Sequence, residues 1–419
     1  MNYNINKSNN QVPKGYKKTK VGVIPDDWKE YLFSEIFIFS TGKNIKQDEA
    51  SKIFNIPCVR YGELYHMYNE IITKVINKTN LDKSELLFSK GDEILLPSAG
   101  EDPLDIGSAS ALTLKDIAIG RTINILRPAK INIYSQEYMA YHINHQFKRR
   151  IASLAKGSSI SNVYNSDLKK LTIFLPPLKE QQKIANILTT WDNAVSKQDE
   201  LIKAKEELKK GLMQKLLSGE VRFEGFDREW EEIPLKEALI ERKTYSEKGL
   251  EFVHVSLTKE GVVPKSDRYE RDFLVKDDNK KYKITYLNDI CYNPANLKFG
   301  VICKNTLGTA IFSPIYITFE LNKNHNIDFF GYLLTTNDFI NRVRKYEQGT
   351  VYERMAVSPK DFLSYKLKLP SKQEQQKIAE VLSNADKEIE LLKNELEELK
   401  EQKKGLMQKL LTGEVRVRV

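Results

Sequence analysis

The chain has 419 residues, of which 41% are hydrophobic and 10% aromatic, so it can bury real cores and does not have the composition of a disordered chain. Its formal net charge of +9 favours a polyanionic partner, although a solvated basic surface would carry the same charge. Three isolated cysteines, Cys58, Cys291 and Cys303, argue against a disulfide framework or a zinc site, and the lack of any run of about 20 apolar residues argues against a membrane span.

The chain begins with a polar segment, residues 1–20, that lacks the apolar core of a signal peptide, so we expect a flexible tail on a cytoplasmic protein. Residues 21–175 then predict a first domain. Short runs of β-branched and aromatic residues between turn residues predict its strands, which include runs beginning at Ile56, Glu93 and Thr122. The domain ends in a helical stretch, YMAYHINHQFKRR, and a polar loop, KGSSISNVYNS.

A long helix and a second domain follow. Proline and glutamate near the start of residues 176–222 are typical of a helix N-terminus, and Gly219 has the position of a C-cap. Residues 223–369 repeat the plan of the first domain, with TAIFSPIYITFE as predicted strand sequence, NDFINRVRKY as a basic-ended helix and EQGTVYERMAVS as a polar loop. Residues 370–419 predict a second long helix, which ends near Gly413.

The two long helices are copies of one another. KKGLMQKLLSGEVR ends at Arg222 and KKGLMQKLLTGEVR ends at Arg416, and both helices open with EQQKIA. From Glu180 and from Glu374 onwards, roughly half of the positions are identical without a gap, which indicates an internal duplication. The order along the chain is therefore domain, helix, domain, helix.

Apolar residues in both helices recur at alternating steps of three and four positions, which predicts a coiled-coil seam. The second copy departs from this pattern at Lys403, and the first copy at Gln198, Lys205 and Lys209. The stripe of the first copy therefore needs a partner, and the obvious one is the other copy. The sequence thus predicts an α+β protein: two mixed α/β domains separated by two long antiparallel coiled-coil helices, with a pseudo-two-fold internal repeat.

The copies agree best at their ends, where several identical polar residues are expected on the surface. A coiled coil does not require identical surface residues, and a recent duplication would have preserved the middle equally well. We interpret the identity as a repeated docking surface that binds one kind of partner twice. The candidate partner-binding residues are Gln181, Gln182, Lys183, Gln214, Lys215, Gln375, Gln376, Lys377, Gln408 and Lys409.

The excess positive charge lies on the domains, because basic and acidic residues nearly cancel in the two helices. This location favours nucleic acid as the partner of the domains. Base reading needs polar side chains on loops that reach the groove edges, while further Lys and Arg hold phosphates. The candidate DNA-binding residues of the first domain are Arg60, Tyr61, Ser98, Lys148, Arg149, Arg150, Ser158, Ser159, Asn162 and Tyr164. Those of the second domain are Asn293, Asn296, Lys298, Arg342, Arg344, Lys345, Tyr352 and Arg354.

The sequence carries no recognisable catalytic motif. It has neither GxxxxGK[ST] for a nucleotide nor GxGxxG after a strand. YNPAN at Tyr292–Asn296 only faintly resembles the loop of adenine methyltransferases, since the second proline and the final aromatic residue are missing. His142 and His145 lack a third zinc ligand nearby, so we interpret them as ordinary helix residues. We therefore expect a reader with no catalytic residue, metal or cofactor of its own.

These residues resemble the specificity subunits of type I restriction–modification enzymes. The resemblance covers nearly the whole chain from about Tyr16. KTKVGVIPDDWKEYLFSEI is similar to the opening of the family, LPPLKEQQKIANIL and LPSKQEQQKIAEVL to its two helix starts, and KGLMQKLLSGEVR to its helix end. The resemblance implies two target-recognition domains that each read one half of a split sequence in double-stranded DNA. It also implies two methyltransferase subunits docked on this chain, with translocating restriction subunits joining them.

The resemblance places the chemistry in the partners. The methyltransferase would use S-adenosylmethionine to methylate N6 of adenine, and ATP and Mg²⁺ would also bind only partner subunits.

A helix pair of about 50 Å would act as a ruler between the two half-sequences. The main alternative is a coiled-coil interaction scaffold whose basic domains bind acidic proteins. A DNA-modifying enzyme in its own right and a system that methylates without restriction are two further alternatives.

Overall fold

The computed structural model describes residues 12–20, 22–157, 159–246, 252–265, 281–348 and 355–418. The chain divides into two compact units. The first contains Met1–Gln198 and Glu395–Val419, and the second contains Asp199–Asn394. Each unit is therefore one domain together with a part of each long helix.

Two helices are much longer than the others. α7 covers Leu178–Ser218 and has 41 residues, and α12 covers Lys372–Leu411 and has 40. Both begin shortly after the prolines that the sequence marks as helix starts. The remaining α-helices are α1 (Phe33–Ile36), α2 (Glu63–His66), α3 (Pro103–Ile106), α4 (Gln136–His142), α5 (Lys148–Ala152), α6 (Asn165–Leu168), α8 (Leu235–Ala238), α9 (Ile327–Leu334), α10 (Asn337–Val343) and α11 (Pro359–Ser364).

The strands are short, as the spacing of turn residues predicts. Those of the first unit are β1 (Tyr16–Thr19), β2 (Gly22–Pro25), β3 (Lys29–Leu32), β4 (Phe37–Thr41), β5 (Ile56–Val59), β6 (Ile71–Ile72), β7 (Lys78–Thr79), β8 (Phe88–Lys90), β9 (Glu93–Pro97), β10 (Ala99–Gly100), β11 (Ser110–Leu112), β12 (Lys115–Ile119), β13 (Ile123–Pro128), β14 (Ser161–Asn162) and β15 (Thr172–Leu175). Those of the second unit are β16 (Glu231–Pro234), β17 (Leu239–Glu241), β18 (Tyr245–Ser246), β19 (Val253–Leu257), β20 (Val262–Pro264), β21 (Tyr282–Thr285), β22 (Ile290–Tyr292), β23 (Ile302–Lys304), β24 (Ala310–Phe312), β25 (Ile317–Leu321) and β26 (Lys366–Leu369).

Strand β1 shows that the flexible tail expected over residues 1–20 does not extend that far. β1 pairs antiparallel with β2, and the Tyr16 hydroxyl donates a hydrogen bond to the carbonyl of Gly413 at 3.0 Å. The physical reason is the aromatic side chain of Tyr16, which anchors a segment that is otherwise polar.

The first domain closes on itself before it enters the long helix. Its strand β3 pairs antiparallel with its last strand, β15, which leads directly into α7. Between these strands lie two larger sheets with the strand orders β4-β13-β9-β11-β6 and β7-β5-β12-β8. The second sheet contains a parallel pair, β5 with β12, among antiparallel neighbours.

The second domain repeats this topology, except that among the described residues the outer strand β6 occurs only in the first domain and β18 only in the second. β16 pairs with β26 just before α12, and the two larger sheets have the orders β17-β25-β22-β23 and β18-β21-β24-β19-β20. The parallel pair recurs as β19 with β24. The internal repeat therefore includes the domains, although their sequences barely match.

Each unit has one main apolar cluster, which joins the domain to both long helices. In the first unit it includes Leu126 of β13, Tyr138 of α4, Ile184 of α7 and Leu410 of α12, all buried. In the second unit the equivalent cluster includes Phe319 of β25, Phe329 of α9, Leu216 of α7 and Ile378 of α12. The predicted seam is thus covered by the domain as well as by the other helix.

Within each unit α7 and α12 run antiparallel, as predicted. In the first unit Arg416 pairs with Glu180 at 2.6 Å, while Gln198 donates a hydrogen bond to Glu395 at 3.1 Å. The second unit has the corresponding pairs Arg222 with Glu374 at 2.8 Å and Lys393 with Glu206 at 2.6 Å.

Across the residues that the structure describes, no helix is both long and apolar enough to span a membrane.

Gly413→Ala is expected to lower the thermal midpoint by several degrees. Gly413 ends α12 with φ of 74°, and an added Cβ would lie 2.6 Å from Cδ of Pro25 and 3.0 Å from the Trp28 ring. The combined strain should cost about 1–3 kcal/mol. Differential scanning calorimetry measures the change.

Gly405→Ala, in the interior of α12, is the matched control. A Cβ at Gly405 meets no atom within 4 Å, so alanine should stabilise the helix by roughly 0.5–1 kcal/mol. Equal shifts of the thermal midpoint for the two substitutions would contradict the assignment of Gly413 as a strained cap.

Candidate nucleic-acid interface

In the first domain, the polar loop that follows α5 folds back onto the end of β9. Strand β14, within the loop, pairs with β10 so that Asn162 lies opposite Ala99. The Val163 N–H donates to the carbonyl of Ser98 at 2.9 Å, and the Asn124 side chain donates to the carbonyl of Val163 at 2.9 Å. The structure therefore brings two predicted site residues, Ser98 and Asn162, to the same edge.

The basic helix end lies beside this edge. A Cβ added at Gly107, which follows α3, would lie 2.5 Å from the carbonyl oxygen of Lys148, so only glycine permits this close approach. The side-chain oxygen of Asn144 also accepts a hydrogen bond from the Ala109 N–H at 2.6 Å. Arg149 and Arg150 follow on α5 with exposed side chains. Three predicted cations thus flank the loop.

A third segment of the first domain carries Arg60 and Tyr61. The buried carboxylate of Glu63 accepts hydrogen bonds from the Arg60 N–H at 3.2 Å and the Asn77 side chain at 2.9 Å, and these bonds hold the turn. Burial raises the pKa of Glu63, although the two bonds oppose that shift. The Tyr61 ring lies 6.4 Å from the ring of Tyr65.

Tyr65 connects this turn to α3. Burial raises its pKa, and Tyr61, Asp105 and Glu101 raise it further through their charges. Ser98 and Asn162 share the loop edge, with Lys148 beside it, and the Arg60 turn is a separate segment of the same domain.

In the second domain, the turn after β22 has the corresponding position. The Val357 N–H donates to the carbonyl of Pro294 at 3.2 Å, and this bond joins the turn to the end of the polar loop. A Cβ at Gly300 would lie 4.0 Å from Ile340, so α10 packs against the residues that follow Asn296. Asn296 is exposed, and the Lys298 ammonium lies 5.2 Å from the centroid of the Phe299 ring.

Asn293 does not have the free side chain expected of a base-reading residue. It is buried, and its side-chain oxygen accepts a hydrogen bond from the Ala295 N–H at 3.1 Å. Because this bond stabilises the local turn, Asn293 shapes the loop instead of presenting a donor to solvent.

The cations at the end of α10 and in the turn that follows it are exposed but partly paired. Arg342 lies 3.0 Å from Asp338, one helical turn away, and Arg344 lies 3.6 Å from Glu347. The pair of Arg342 with Asp338 is exposed and contributes little stability, so this guanidinium can exchange the carboxylate for a phosphate at low cost. The Glu347 side chain beside Arg344 is only 7% exposed, so that pair is held more firmly. Lys345 is exposed beside them.

The two polar loops share one clamp at their base. In the first domain Lys156 and Asn162 form an isolated bridge, and the Lys156 ammonium lies 2.8 Å from Asp167. In the second domain the bridge joins Gln348 to Ala356, and the Gln348 amide donates to Asp361 at 3.1 Å. Asp167 and Asp361 are the carboxylates that precede each long helix.

The predicted site residues Ser158, Tyr352 and Arg354 lie outside the described residues.

Some surface residues near these loops were missed by the sequence reasoning. The predicted Tyr164 is 54% exposed, but Phe299, which is 56% exposed, was not predicted. His66, exposed in the aromatic-rich segment RYGELYHMY, was not predicted either. The density of aromatic residues in that segment was the available signal, because exposed aromatic rings are suited to contacts with bases.

The repeated helix ends have the exposure predicted for a docking surface, except at two positions. Gln182, Lys183, Gln214, Lys215, Gln376, Lys377 and Lys409 are exposed, and Gln408 is half-buried. Gln181 and Gln375, by contrast, are buried, so the prediction that they face a partner is wrong. The Gln181 side chain accepts from the Ser135 N–H at 2.9 Å and donates to the carbonyl of Pro176 at 2.9 Å.

No group of three or more His, Cys, Asp or Glu side chains with the geometry of a metal site occurs in the described ranges. His142 is buried between Trp28 and Tyr138, and burial lowers its pKa to about 3. It is therefore a neutral side chain of the domain core at physiological pH, in agreement with its interpretation as an ordinary helix residue.

A family model described as the type I restriction modification DNA specificity domain matches the chain twice, over residues 25–206 and 232–401. Each match begins near the first strand of a domain and ends within a long helix. Together the two matches span most of the chain.

Two proteins of Methanocaldococcus jannaschii are similar over nearly the full length. The protein assigned as the MjaX type I restriction enzyme specificity subunit is 27% identical over 434 residues, with 96% of this chain and 97% of that protein covered. The MjaVIII specificity subunit is 25% identical, with 94% of each covered. The crystal structure of a type I restriction–modification S subunit from M. genitalium has the same fold, with a TM-score of 0.55, 20% identity, and coverage of 91% of this chain and 96% of that one.

Proposed function

The chain belongs to the type I restriction–modification DNA specificity family, and on that premise we propose that it reads a bipartite sequence in double-stranded DNA, one half with each recognition domain. It further acts as the platform for two methyltransferase subunits and for restriction subunits. The target chemistry is methylation of adenine at N6, or cleavage that depends on ATP.

The observation that supports this proposal best is the repeated loop framework. Both domains share the order of eight sheet strands and clamp the base of a polar loop with an equivalent carboxylate, Asp167 or Asp361. The loops themselves differ in sequence. Because base contacts come from loop side chains, one framework with two different loops suits two readers of different half-sequences.

The predicted site residues divide into two roles. Cations at helix ends, such as Arg149, Arg150 and Lys345, neutralise phosphates and fix the domain on the duplex. Amide and hydroxyl side chains on the loops, such as Asn162 and Asn296, contact base edges in the major groove, where an amide can bond adenine at two points.

The catalytic chemistry belongs to the partner subunits in this proposal. S-adenosylmethionine, ATP and Mg²⁺ bind there, and this chain supplies recognition without a cofactor or a catalytic residue. The methyltransferase docks on the exposed polar residues at the ends of α7 and α12. Because the N-terminal and C-terminal segments of the long helix each occur once in α7 and once in α12, two identical subunits bind equivalent surfaces.

The length of the helices sets the number of unread base pairs between the half-sequences. A helix of the size of α7 is about 60 Å long at 1.5 Å per residue. Duplex DNA rises about 3.4 Å per base pair, so a helix of this length corresponds to more than one turn of the duplex.

Methylation mapping tests the recognition proposal directly. Co-expression of this chain with its cognate methyltransferase subunit in a methylation-free host should produce N6-methyladenine within a split motif, with two short defined halves and a fixed gap. Single-molecule sequencing measures this, and the methyltransferase alone is the control. A soluble complex that methylates no site would favour the scaffold interpretation.

Arg149→Ala combined with Arg150→Ala should weaken DNA binding for every sequence. Each arginine that no longer neutralises a phosphate should reduce the slope of log K against log salt by about 0.9, because fewer counterions are released. Fluorescence anisotropy at several salt concentrations measures the slope. Lys197→Ala, an exposed lysine on α7, is the matched control and should leave the slope unchanged. A normal slope with a changed base preference would contradict the phosphate role.

Lys215→Glu should reduce the number of bound methyltransferase subunits from two to one, and Lys215→Glu with Lys409→Glu should abolish binding. Both lysines are exposed at equivalent positions of the repeat, where a reversed charge repels the partner. Native mass spectrometry gives the stoichiometry. Lys203→Glu, exposed in the helix middle where the copies differ, is the control. Unchanged stoichiometry in the double variant would exclude this docking surface.

A further inference from the structure

Each unit contains the same cluster of three polar side chains where its recognition domain meets the two long helices. Joint 1 consists of Asp192 on α7, Tyr141 on α4 and Lys403 on α12. Joint 2 consists of Asp386 on α12, Tyr332 on α9 and Lys209 on α7. In both joints the tyrosine belongs to the recognition domain, and the aspartate and lysine belong to different long helices.

In joint 1 the carboxylate of Asp192 has two partners, one on each oxygen. The Tyr141 hydroxyl donates to one oxygen and the Lys403 ammonium to the other. The ammonium also lies 5.6 Å from the centroid of the Tyr141 ring and 4.0 Å from the Glu70 carboxylate of the same domain. The Lys403 and Asp192 side chains are only 16% and 24% exposed.

Joint 2 has the same two hydrogen bonds, with Lys209 and Asp386 side chains that are 21% and 45% exposed. The Tyr332 hydroxyl donates to one oxygen of Asp386 at 2.6 Å, and the Lys209 ammonium donates to the other at 2.5 Å. The ammonium lies 5.4 Å from the centroid of the Tyr332 ring. Burial and the neighbouring aspartate raise the pKa of both joint tyrosines, so each keeps the proton that it donates.

The joints explain two of the three lysines that interrupt the apolar seam. Lys209 and Lys403 are equivalent in the repeat, as are Asp192 and Asp386, although the middles of the two helices otherwise differ. A partly buried ion pair is a poor source of stability, but it specifies register because any shift leaves a charge without its partner. The presence of these residues is therefore better explained by the register that they specify than by the stability that they contribute.

The remaining contacts between each domain and the helices are mostly apolar, and apolar contacts alone do not fix an orientation. Ile184 and Leu188 of α7 pack against Tyr138 in the main cluster of the first unit, and such contacts are non-directional. Two directional contacts recur in both units: the joint and the buried glutamine at the helix start, Gln181 or Gln375, which bonds the backbone before α4 or α9. The first unit adds the Tyr16 bond to Gly413 and the ion pair of Arg416 with Asp27. Two directional contacts on one helix define how the domain is rotated upon it.

We propose that each joint is a positioning site that fixes the orientation of its own recognition domain on the helix pair, and thereby determines how strictly that domain reads its half-sequence. This inference rests on the proposed function, since it assumes that the domains read DNA. Its distinctive consequence is that the two joints act on different halves of the target.

The test uses the full chain with its methyltransferase and measures methylation at sites that carry one mismatch in either half. Tyr332→Phe and Lys209→Met should each raise methylation about 10-fold at sites mismatched in one half only. Tyr141→Phe should do the same for the other half. Lys209→Arg keeps the charge at the joint and should retain the strictness of the wild type.

Lys393→Met is the matched control. It removes an ion pair between the two long helices, with Glu206 at 2.6 Å, whose side chains are 54% and 46% exposed. No residue of a recognition domain takes part in that ion pair, so reading should not change. The thermal midpoint of every variant is measured as well, and Tyr332→Phe, which keeps the ring, decides the question if Lys209→Met fails to fold.

The outcomes separate this inference from the function on which it rests. If the wild-type complex methylates no split motif, the proposed function is wrong whatever the variants do. If the wild type methylates a split motif but the joint variants leave both halves equally strict, or relax both halves equally, the joints are structural contacts only and the inference is overturned.

Discussion

A long helix with an apolar stripe is stable in water only when another surface covers the stripe. In the first unit the stripe of α7 is covered by α4 and by the last turns of α12, so that Ile184, Tyr138 and Leu410 belong to one buried cluster. The second unit has the same arrangement with the helices exchanged. Each recognition domain therefore depends on both copies of the repeated helix, and the duplication of one segment supplies both sides of every such contact.

This dependence separates the residues that are constrained from those that can vary. Val163 and Val357, both buried, anchor the loop ends through backbone bonds to Ser98 and Pro294. Ile160, in the loop before its anchor, is 57% exposed and belongs to no core cluster. A substitution there opens no cavity, so a new sequence can be read without a new fold.

The sequence predicted those elements whose hydrophobic pattern is long enough to be compatible with only one secondary structure. Periodicity over several heptads sufficed for α7 and α12, whereas the shared topology of the domains was not accessible, because strands as short as β22 accept almost any apolar residues. Gln181 was misjudged because a repeated glutamine gives no sign of its bond to the distant Ser135 backbone. The contacts of Arg149 or Asn162 with DNA stay predictions, since they depend on a groove that the chain does not contain.

The first unit is assembled from segments that lie far apart in the chain, and this has a consequence for its synthesis. The ribosome makes the first domain early, yet Tyr16 and Glu180 find their partners Gly413 and Arg416 only after the end of α12 has been made. The second unit, Asp199–Asn394, is one continuous segment, and all of its residues have been synthesised before the end of α12 is made. The domain made first is thus finished last, and nascent chains carry an open apolar stripe throughout the interval. A premature stop after Asn394 damages the recognition domain that was translated first.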